Sequence, residues 1–170
     1  MVAGQHGHGL TPPVFDRPAR VLIVAAPFYR AIVDGLIAGA RGALDAAGVR
    51  HETVEAPGAL EVPTAIRLAS RSGAFDGYVA LGCVIRGETT HYDTVCADSS
   101  RGLMLLGLEG LCIGNGILTV ENAGQAEVRA DPAGMNKGAG AAEAALHLIA
   151  LARRFAPAPG GASLSGTGHA

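Results

Sequence analysis

Apolar residues follow two alternating patterns along this chain. Short continuous apolar runs, such as residues 20–26 (RVLIVAA), are typical of strands that are covered on both faces of a sheet. Longer segments place apolar residues three and four positions apart, as in residues 29–47, where one helical face ends before Gly48. These patterns predict strands at 20–26, 50–55, 77–84 and 111–118, and helices at 29–47, 63–72, 91–108, 125–130 and 137–155.

The alternation of strand and helix predicts how the elements assemble. Four strand–helix repeats of this length favour a parallel sheet with right-handed crossovers and helices on both faces. We therefore predict a flavodoxin-like, three-layer α/β/α fold with a four-stranded parallel sheet. Such sheets bind ligands outside the carboxyl ends of their strands, at the point where the strand order reverses. The loops at 27–29, 57–61 and 84–91, and the segment after Asn115, therefore form the candidate site.

Composition and charge limit the classes of partner. The 170 residues carry 13 Lys and Arg against 15 Asp and Glu, and this net charge of −2 offers no concentrated basic face for nucleic acid. Charged residues make up only 16%, below the roughly 25% typical of a domain, so we expect part of the surface to be buried against other copies of the chain. No apolar run approaches the roughly 18–20 residues of a membrane helix, so no membrane partner is predicted.

The chain ends and the cysteines add two further expectations. Residues 1–18 and 156–170 are rich in Gly, Pro, Ser and His, and we predict flexible segments there on either side of one domain at 19–155. Residues 1–15 lack a basic segment followed by an apolar run, so no secretory signal is expected. The three cysteines have neither paired spacing nor a metal-ligand pattern, which favours reduced thiols, no metal site and a cytoplasmic location.

Residues 84–91 (VIRGETTH) carry the most informative chemistry. Gly87 allows the backbone to approach a ligand closely, and Thr89 and Thr90 stand where the free N–H groups of the next helix favour an anion such as phosphate. His91, which opens that helix, has an imidazole that titrates near neutrality and can move protons during imine formation, elimination or ring closure. The alternative is that the threonines only cap the helix and the histidine hydrogen-bonds locally.

Four other side chains can serve either chemistry or structure. The guanidinium of Arg129 suits phosphate but is also typical of a solvated helix face, and Lys137 stands at a helix amino end, where a cation is locally unfavourable. Phe28 can stack on a flat heterocycle or simply pack, and Glu61 can accept hydrogen bonds from a polyol or act as a first-turn charge. The chain has no GxGxxG or Walker sequence after a strand and no Gly-x-Ser-x-Gly elbow, which disfavours nucleotide-dependent and hydrolase chemistry.

Four motifs together identify a family. Over residues 20–155 the chain resembles lumazine synthase in the order and spacing of four motifs. They are PGALEVP (57–63), LGCVIRGETTHYDTVC (81–96), NGILTVEN (115–122) and Arg129 followed by NKG (136–138). The resemblance implies condensation of 5-amino-6-(D-ribitylamino)uracil with 3,4-dihydroxy-2-butanone 4-phosphate. The implied product is 6,7-dimethyl-8-ribityllumazine, a riboflavin precursor, with phosphate and water lost and with no cofactor required.

The resemblance also implies roles for individual residues. His91 matches the proton-transfer histidine, and Phe28 matches the aromatic residue that stacks on the pyrimidine. The residues that match the phosphate-binding set are Glu88, Thr89 and Arg129. The residues that match the ribityl-side loop are Ala59, Leu60 and Glu61. The residues that match the pyrimidine side are Cys83, Val84 and Ile85, through their main chain, and Lys137.

One position departs from the family pattern. Asn115 stands where many members place an aromatic residue, and in the family this position is contributed across a subunit boundary. Loss of the ring predicts weaker binding of the pyrimidine. With asparagine at this position the chain resembles the divergent second type of lumazine synthase, which tends to form decamers of two pentamers. We also predict that residues 11–15 add a strand to a neighbour's sheet, with disorder as the alternative. The competing hypothesis for function is a family member that binds lumazine or a flavin such as riboflavin or FMN, with weak or lost catalysis.

Overall fold

The computed structural model describes residues 10–157, which form four strands and five α-helices. The strands are β1 (Arg20–Ala25), β2 (Arg50–Glu55), β3 (Gly77–Ile85) and β4 (Ile113–Val120). The helices are α1 (Arg30–Ala46), α2 (Glu61–Ser70), α3 (His91–Leu108), α4 (Ala123–Ala130) and α5 (Lys137–Arg154), with a single 3-10 turn at Pro27–Tyr29 before α1.

The sheet has the predicted parallel topology. Its strand order is β2-β1-β3-β4, and each neighbouring pair is parallel. The chain moves outward from β1 to β2 and then returns to place β3 on the other side of β1, so the order reverses between β1 and β3. This reversal opens a crevice at the carboxyl ends of those two strands, which is where sheets of this kind bind their ligands.

The sheet is buried on both faces, which explains the continuous apolar run in β1. Because side chains alternate along a strand, Val21 and Ile23 pack in a core with α1 and α5, whereas Leu22 and Val24 pack in a second core with α2 and α3. The three-layer α/β/α architecture predicted from the sequence is therefore confirmed.

Several element boundaries differ from the predicted ones. Helix α2 begins at Glu61 rather than at 63. Pro63 is tolerated inside the first helical turn, because backbone N–H groups in that turn have no helical partner and the missing N–H of proline costs nothing there. Helix α4 begins at Ala123 rather than at 125, because the Asn122 side chain accepts the Gln125 N–H and caps the helix. Strand β4 begins two residues late, because the left-handed Gly110 (φ 96°) ends α3 and the chain needs the next residues to return to the sheet.

Helices α1 and α5 approach each other more closely than side chains would allow. A Cβ at Gly138 would overlap the backbone carbonyl of Leu36, with the carbonyl carbon at 2.8 Å and the Cα at 2.9 Å. Asn136, which is left-handed (φ 47°), caps α5 by accepting the Ala139 N–H. These contacts fix the start of α5 and therefore the position of Lys137.

The segment before β1 is tied to the end of α5. The Arg153 guanidinium donates to the carbonyl oxygens of Arg17 and Pro18, at 2.8 and 3.1 Å, and lies 5.0 Å from the centre of the Phe15 ring. Residues 10–19 form no helix or strand. The segments predicted to be flexible are 1–18 and 156–170, and of these residues 1–9 and 158–170 lie outside the described residues. Pairing of residues 11–15 with a neighbour stays a prediction.

Candidate active site

A cavity of about 520 Å³ lies at the carboxyl ends of β1 and β3 and beside the loop after β2. We call it the strand-end cavity. It occupies the strand-order reversal, as the fold predicts. Nine of the residues predicted for the site line it: Phe28, Ala59, Leu60, Glu61, Cys83, Val84, Ile85, Thr89 and His91.

His91 stands where the amino end of α3 meets this cavity. Its backbone N–H points to the Thr89 hydroxyl oxygen at 3.4 Å, and its side chain is exposed. Thr90, the residue before the helix, makes no side-chain capping hydrogen bond. The first turn of α3 thus directs the positive end of the helix dipole toward the cavity. An imidazole and an anion-attracting helix end therefore lie side by side.

The aromatic wall of the cavity is formed by the turn after β1. Phe28 is 75% exposed, and Tyr29 meets it edge to face with ring centroids 5.1 Å apart. The two terminal guanidinium nitrogens of Arg30 donate to the Glu55 carboxylate, which joins the start of α1 to the end of β2. This guanidinium lowers the pKa of the Glu55 carboxyl. The Phe28 ring is therefore open to a flat ligand, and the Arg30–Glu55 ion pair holds the turn that carries the ring.

Cys83 lies at the inner end of the cavity and is only 5% exposed. Burial raises the pKa of its thiol to about 11, so the thiol is protonated at neutral pH. A protonated thiol is a poor nucleophile, which agrees with a main-chain role for this residue rather than covalent chemistry.

Sequence reasoning missed several residues that line the cavity. Tyr92 and Val95 follow His91 in α3, one and four positions later, and Tyr29 follows Phe28. The spacing of four residues from His91 could have indicated Val95, whereas Tyr92 had no such signal. Pro57 and Gly58 also line the cavity from a loop that the fold had already singled out, and Gly87, which the sequence indicated for close approach of the backbone to a ligand, lines it too.

The remaining predicted residues do not line the strand-end cavity. Asn115, Arg129 and Lys137 line a second cavity, of about 780 Å³, between the open edge of β4 and the start of α5; we call it the β4-edge cavity. His91 and Arg129 therefore face different cavities within one copy of the chain. Glu88 lies between Gly87 and Thr89 but lines neither cavity.

Local contacts orient the polar groups of the β4-edge cavity. Arg129 is half-buried, and one of its guanidinium nitrogens donates to the Gln125 carbonyl oxygen at 2.9 Å. The Asn115 side-chain oxygen accepts the Ile117 N–H at 3.0 Å. This contact orients the Asn115 amide, whose NH2 group can donate to a ligand.

Residues 10–157 contain neither a metal-ligand cluster nor a membrane-spanning helix. No group of three or more His, Cys, Asp or Glu side chains there is arranged to hold a metal ion. Within the same residues, each helix is too short or too polar to cross a membrane.

Comparison with known proteins identifies the family. The model of the 6,7-dimethyl-8-ribityllumazine synthase family matches residues 18–153. A protein of that name from Jannaschia sp. (strain CCS1) is 60% identical over 161 residues, which cover 95% of this chain and 90% of the relative. A protein of the same name from Sphingopyxis alaskensis is 60% identical over 137 residues, which cover 81% of this chain and 97% of the relative. Another, from Zymomonas mobilis subsp. mobilis, is 53% identical over 137 residues, which cover 81% of this chain and 99% of the relative. The chain belongs to the 6,7-dimethyl-8-ribityllumazine synthase family.

Proposed function

We propose that this chain is an enzyme of riboflavin biosynthesis, a transferase that forms 6,7-dimethyl-8-ribityllumazine. Its substrates are 5-amino-6-(D-ribitylamino)uracil and 3,4-dihydroxy-2-butanone 4-phosphate, and it releases phosphate and water. Family membership supports the reaction. The observation that carries the assignment of residues is that nine residues chosen from the sequence line one cavity at the strand-order reversal.

The strand-end cavity suits the aminopyrimidine. The Phe28 ring offers an exposed face for stacking, and the end of β3 offers main-chain groups of Cys83, Val84 and Ile85 for the edge of the heterocycle. Glu61, in the first turn of α2, is exposed and can accept hydrogen bonds from the ribityl hydroxyls, beside Ala59 and Leu60. The heterocycle and its polyol chain thus have separate walls of one cavity.

The amino end of α3 suits the phosphate ester and the proton transfers. Thr89 and the first turn of α3 provide hydroxyl and N–H donors for the phosphate, and Glu88 lies in the same turn. His91 can take the proton from the attacking amine and return it to the departing oxygen. Holding the two substrates together can lower the barrier by about 7–11 kcal/mol, so orientation supplies most of the rate.

The second half of the site comes from a neighbouring copy of the chain. Arg129 and Lys137 are the cations suited to a phosphate and a polar heterocycle, yet they face the β4-edge cavity rather than His91. Apposition of the two cavities across a subunit interface would bring Arg129 to the phosphate and Asn115 to the pyrimidine. The apolar side chains Met104, Leu105 and Leu108 are exposed on α3, and the low charge content also favours burial between copies. The resemblance to lumazine synthase implies pentamers, so we propose a homo-oligomer built from pentamers, with a decamer as its expected form.

The free thiols bear on where the enzyme works. Cys83, Cys96 and Cys112 are all unpaired, which supports the expected cytoplasmic location.

The experiment is absorbance-monitored product formation from both substrates, with the native mass measured on the same sample. The proposal expects lumazine formation that requires both substrates, and a mass that is a multiple of five chains. The competing function is a family member that binds a flavin with weak or lost catalysis, and Asn115 favours the loss of catalysis because an amide in place of a ring removes stacking area for the pyrimidine substrate. In that case the chain would bind riboflavin or FMN tightly and would form no product.

A further inference from the structure

We propose that Arg86 is a positioning residue that holds His91 in its working orientation. Arg86 belongs to the VIRGETTH segment, yet it does not line the strand-end cavity. The proposal rests on the proposed function, since it assumes that the imidazole of His91 moves protons in the reaction.

One guanidinium joins three groups around the start of α3. Its Nε donates to the Glu121 carboxylate at 2.8 Å, and its Nη1 donates to the Asp93 carboxylate at 3.2 Å. The same guanidinium lies over the Tyr92 ring, 4.1 Å from the centroid. Asp93 and Tyr92 are the two residues that directly follow His91 in the first turn of α3. Arg86 thus contacts the histidine's helix turn at two consecutive positions.

The position of Arg86 is itself fixed by the sheet. Its backbone N–H donates to the Val120 carbonyl oxygen at 2.9 Å, which extends the β3–β4 ladder by one residue. Glu121 is the residue directly after β4. The first turn of α3 is therefore connected through one planar, multidentate side chain to the rigid edge of the sheet.

The start of α3 needs such a connection because its other restraints are weak. Residues 86–90 are all exposed, and Thr90 makes no side-chain capping hydrogen bond. The contact of the His91 N–H with the Thr89 hydroxyl, at 3.4 Å, is long. Helix ends without caps fray, and fraying here would move the imidazole relative to the amine and the phosphate.

The Arg86 contacts are too exposed to add much to the stability of the whole domain. The side chains of Arg86, Glu121 and Asp93 are 41%, 56% and 61% exposed, and ion pairs at such sites are screened by water. We therefore expect loss of Arg86 to change catalysis while the domain stays folded. Tyr92 also lines the strand-end cavity, so the guanidinium holds one cavity wall as well as the histidine.

The test is a double-mutant cycle on the full oligomeric chain. Arg86→Gln is made in the wild-type chain and in His91→Ala, and kcat and both KM values are measured. In the wild-type background kcat is expected to fall about 10- to 100-fold, because small misplacements of a catalytic group cost this much. KM for the butanone phosphate is expected to change less than about threefold, and in His91→Ala the same substitution should change kcat less than about twofold.

A second variant and a matched control guard against a merely structural effect. Glu121→Gln removes the negative charge that the Arg86 Nε contacts, so a smaller loss of kcat is expected in the wild-type chain and little further loss in His91→Ala. Glu52→Gln breaks the Arg20–Glu52 pair, which has nearly the same exposure (38% and 56%) at the opposite edge of the sheet, and should leave kcat unchanged.

The outcomes separate this inference from the proposed function. An equal loss of kcat with and without His91, in either variant, would show that Arg86 acts as a structural or phosphate-binding residue and would overturn the inference. An unchanged kcat for both Arg86→Gln and Glu121→Gln would do the same. A wild-type chain that forms no product would instead refute the proposed function.

Discussion

Replacement of Gly138 by alanine tests the close approach of α1 and α5, on which the position of Lys137 depends. A methyl group there would overlap the Leu36 carbonyl oxygen and would lie 2.8 Å from the Leu36 carbonyl carbon and 2.9 Å from its Cα, against ordinary contacts of 3.4 Å or more. Backbone cannot move aside as a flexible side chain does, so the helices must separate by more than half an ångström. Overpacking of this kind costs about 1–3 kcal/mol, and the upper end applies here.

Helix propensity predicts a change of the opposite sign. Alanine is favoured over glycine inside a helix by up to about 1 kcal/mol, so propensity alone would make Gly138→Ala stabilising. Packing outweighs propensity, and we expect a net loss of about 2 kcal/mol. For a chain of this size such a loss lowers Tm by about 4–8 °C.

Gly42 provides a matched control on the partner helix α1. A methyl group at Gly42 would meet nothing within 4 Å, so Gly42→Ala should be neutral or stabilising. Both variants and the wild-type chain are melted at one protein concentration and followed by circular dichroism, because the stability of an oligomer depends on concentration. A Gly138→Ala variant that melts at or above the wild-type temperature would refute the packing argument.

Three further predictions concern the site. His91→Ala should lower kcat about 10²–10⁴-fold without abolishing turnover, because orientation is retained; steady-state product formation measures this, and complete loss in a folded protein would contradict it. Asn115→Phe should lower KM for the aminopyrimidine about 2- to 10-fold by restoring stacking area, and an unchanged or higher KM would argue against contact with the substrate. The pKa of Cys83 is raised to about 11, and only the thiolate reacts; at pH 8 iodoacetamide should therefore alkylate Cys83 slowly in the folded chain and readily after denaturation, as followed by mass spectrometry. The reaction should accelerate as the pH rises toward 11, and rapid labelling of the folded chain at pH 8 would contradict the buried, protonated thiol.

The fold could be predicted because its signals are local and mutually consistent. The run at β1 is apolar without alternation, since its two faces enter two different cores, and this pattern indicated a parallel sheet covered on both sides. The boundary errors arose where a specific capping contact decides the outcome. The start of α4, for example, depends on the Asn122 side chain, which hydrophobic periodicity does not report.

The site could be predicted only in part from pattern and spacing. Residues that follow β1, β2 and β3 meet at one edge of the sheet for topological reasons, so the strand-end cavity was expected. Arg86 was overlooked because its importance lies in contacts with Tyr92, Asp93 and Glu121, and the last of these is 35 positions away in sequence. Motif reasoning selects residues for their own chemistry and does not reveal which side chain holds another in place.

The central claim is that one active site combines the strand-end cavity of one copy with the β4-edge cavity of its neighbour. Co-assembly of His91→Ala chains with Arg129→Ala chains tests it directly. In randomly mixed oligomers about a quarter of the interfaces would pair an intact His91 with an intact Arg129, because each residue is present in half of the chains. A site shared between neighbouring copies predicts activity near a quarter of wild type after co-assembly, well above that of either variant alone. Activity equal to the mean of the two separate variants would contradict it.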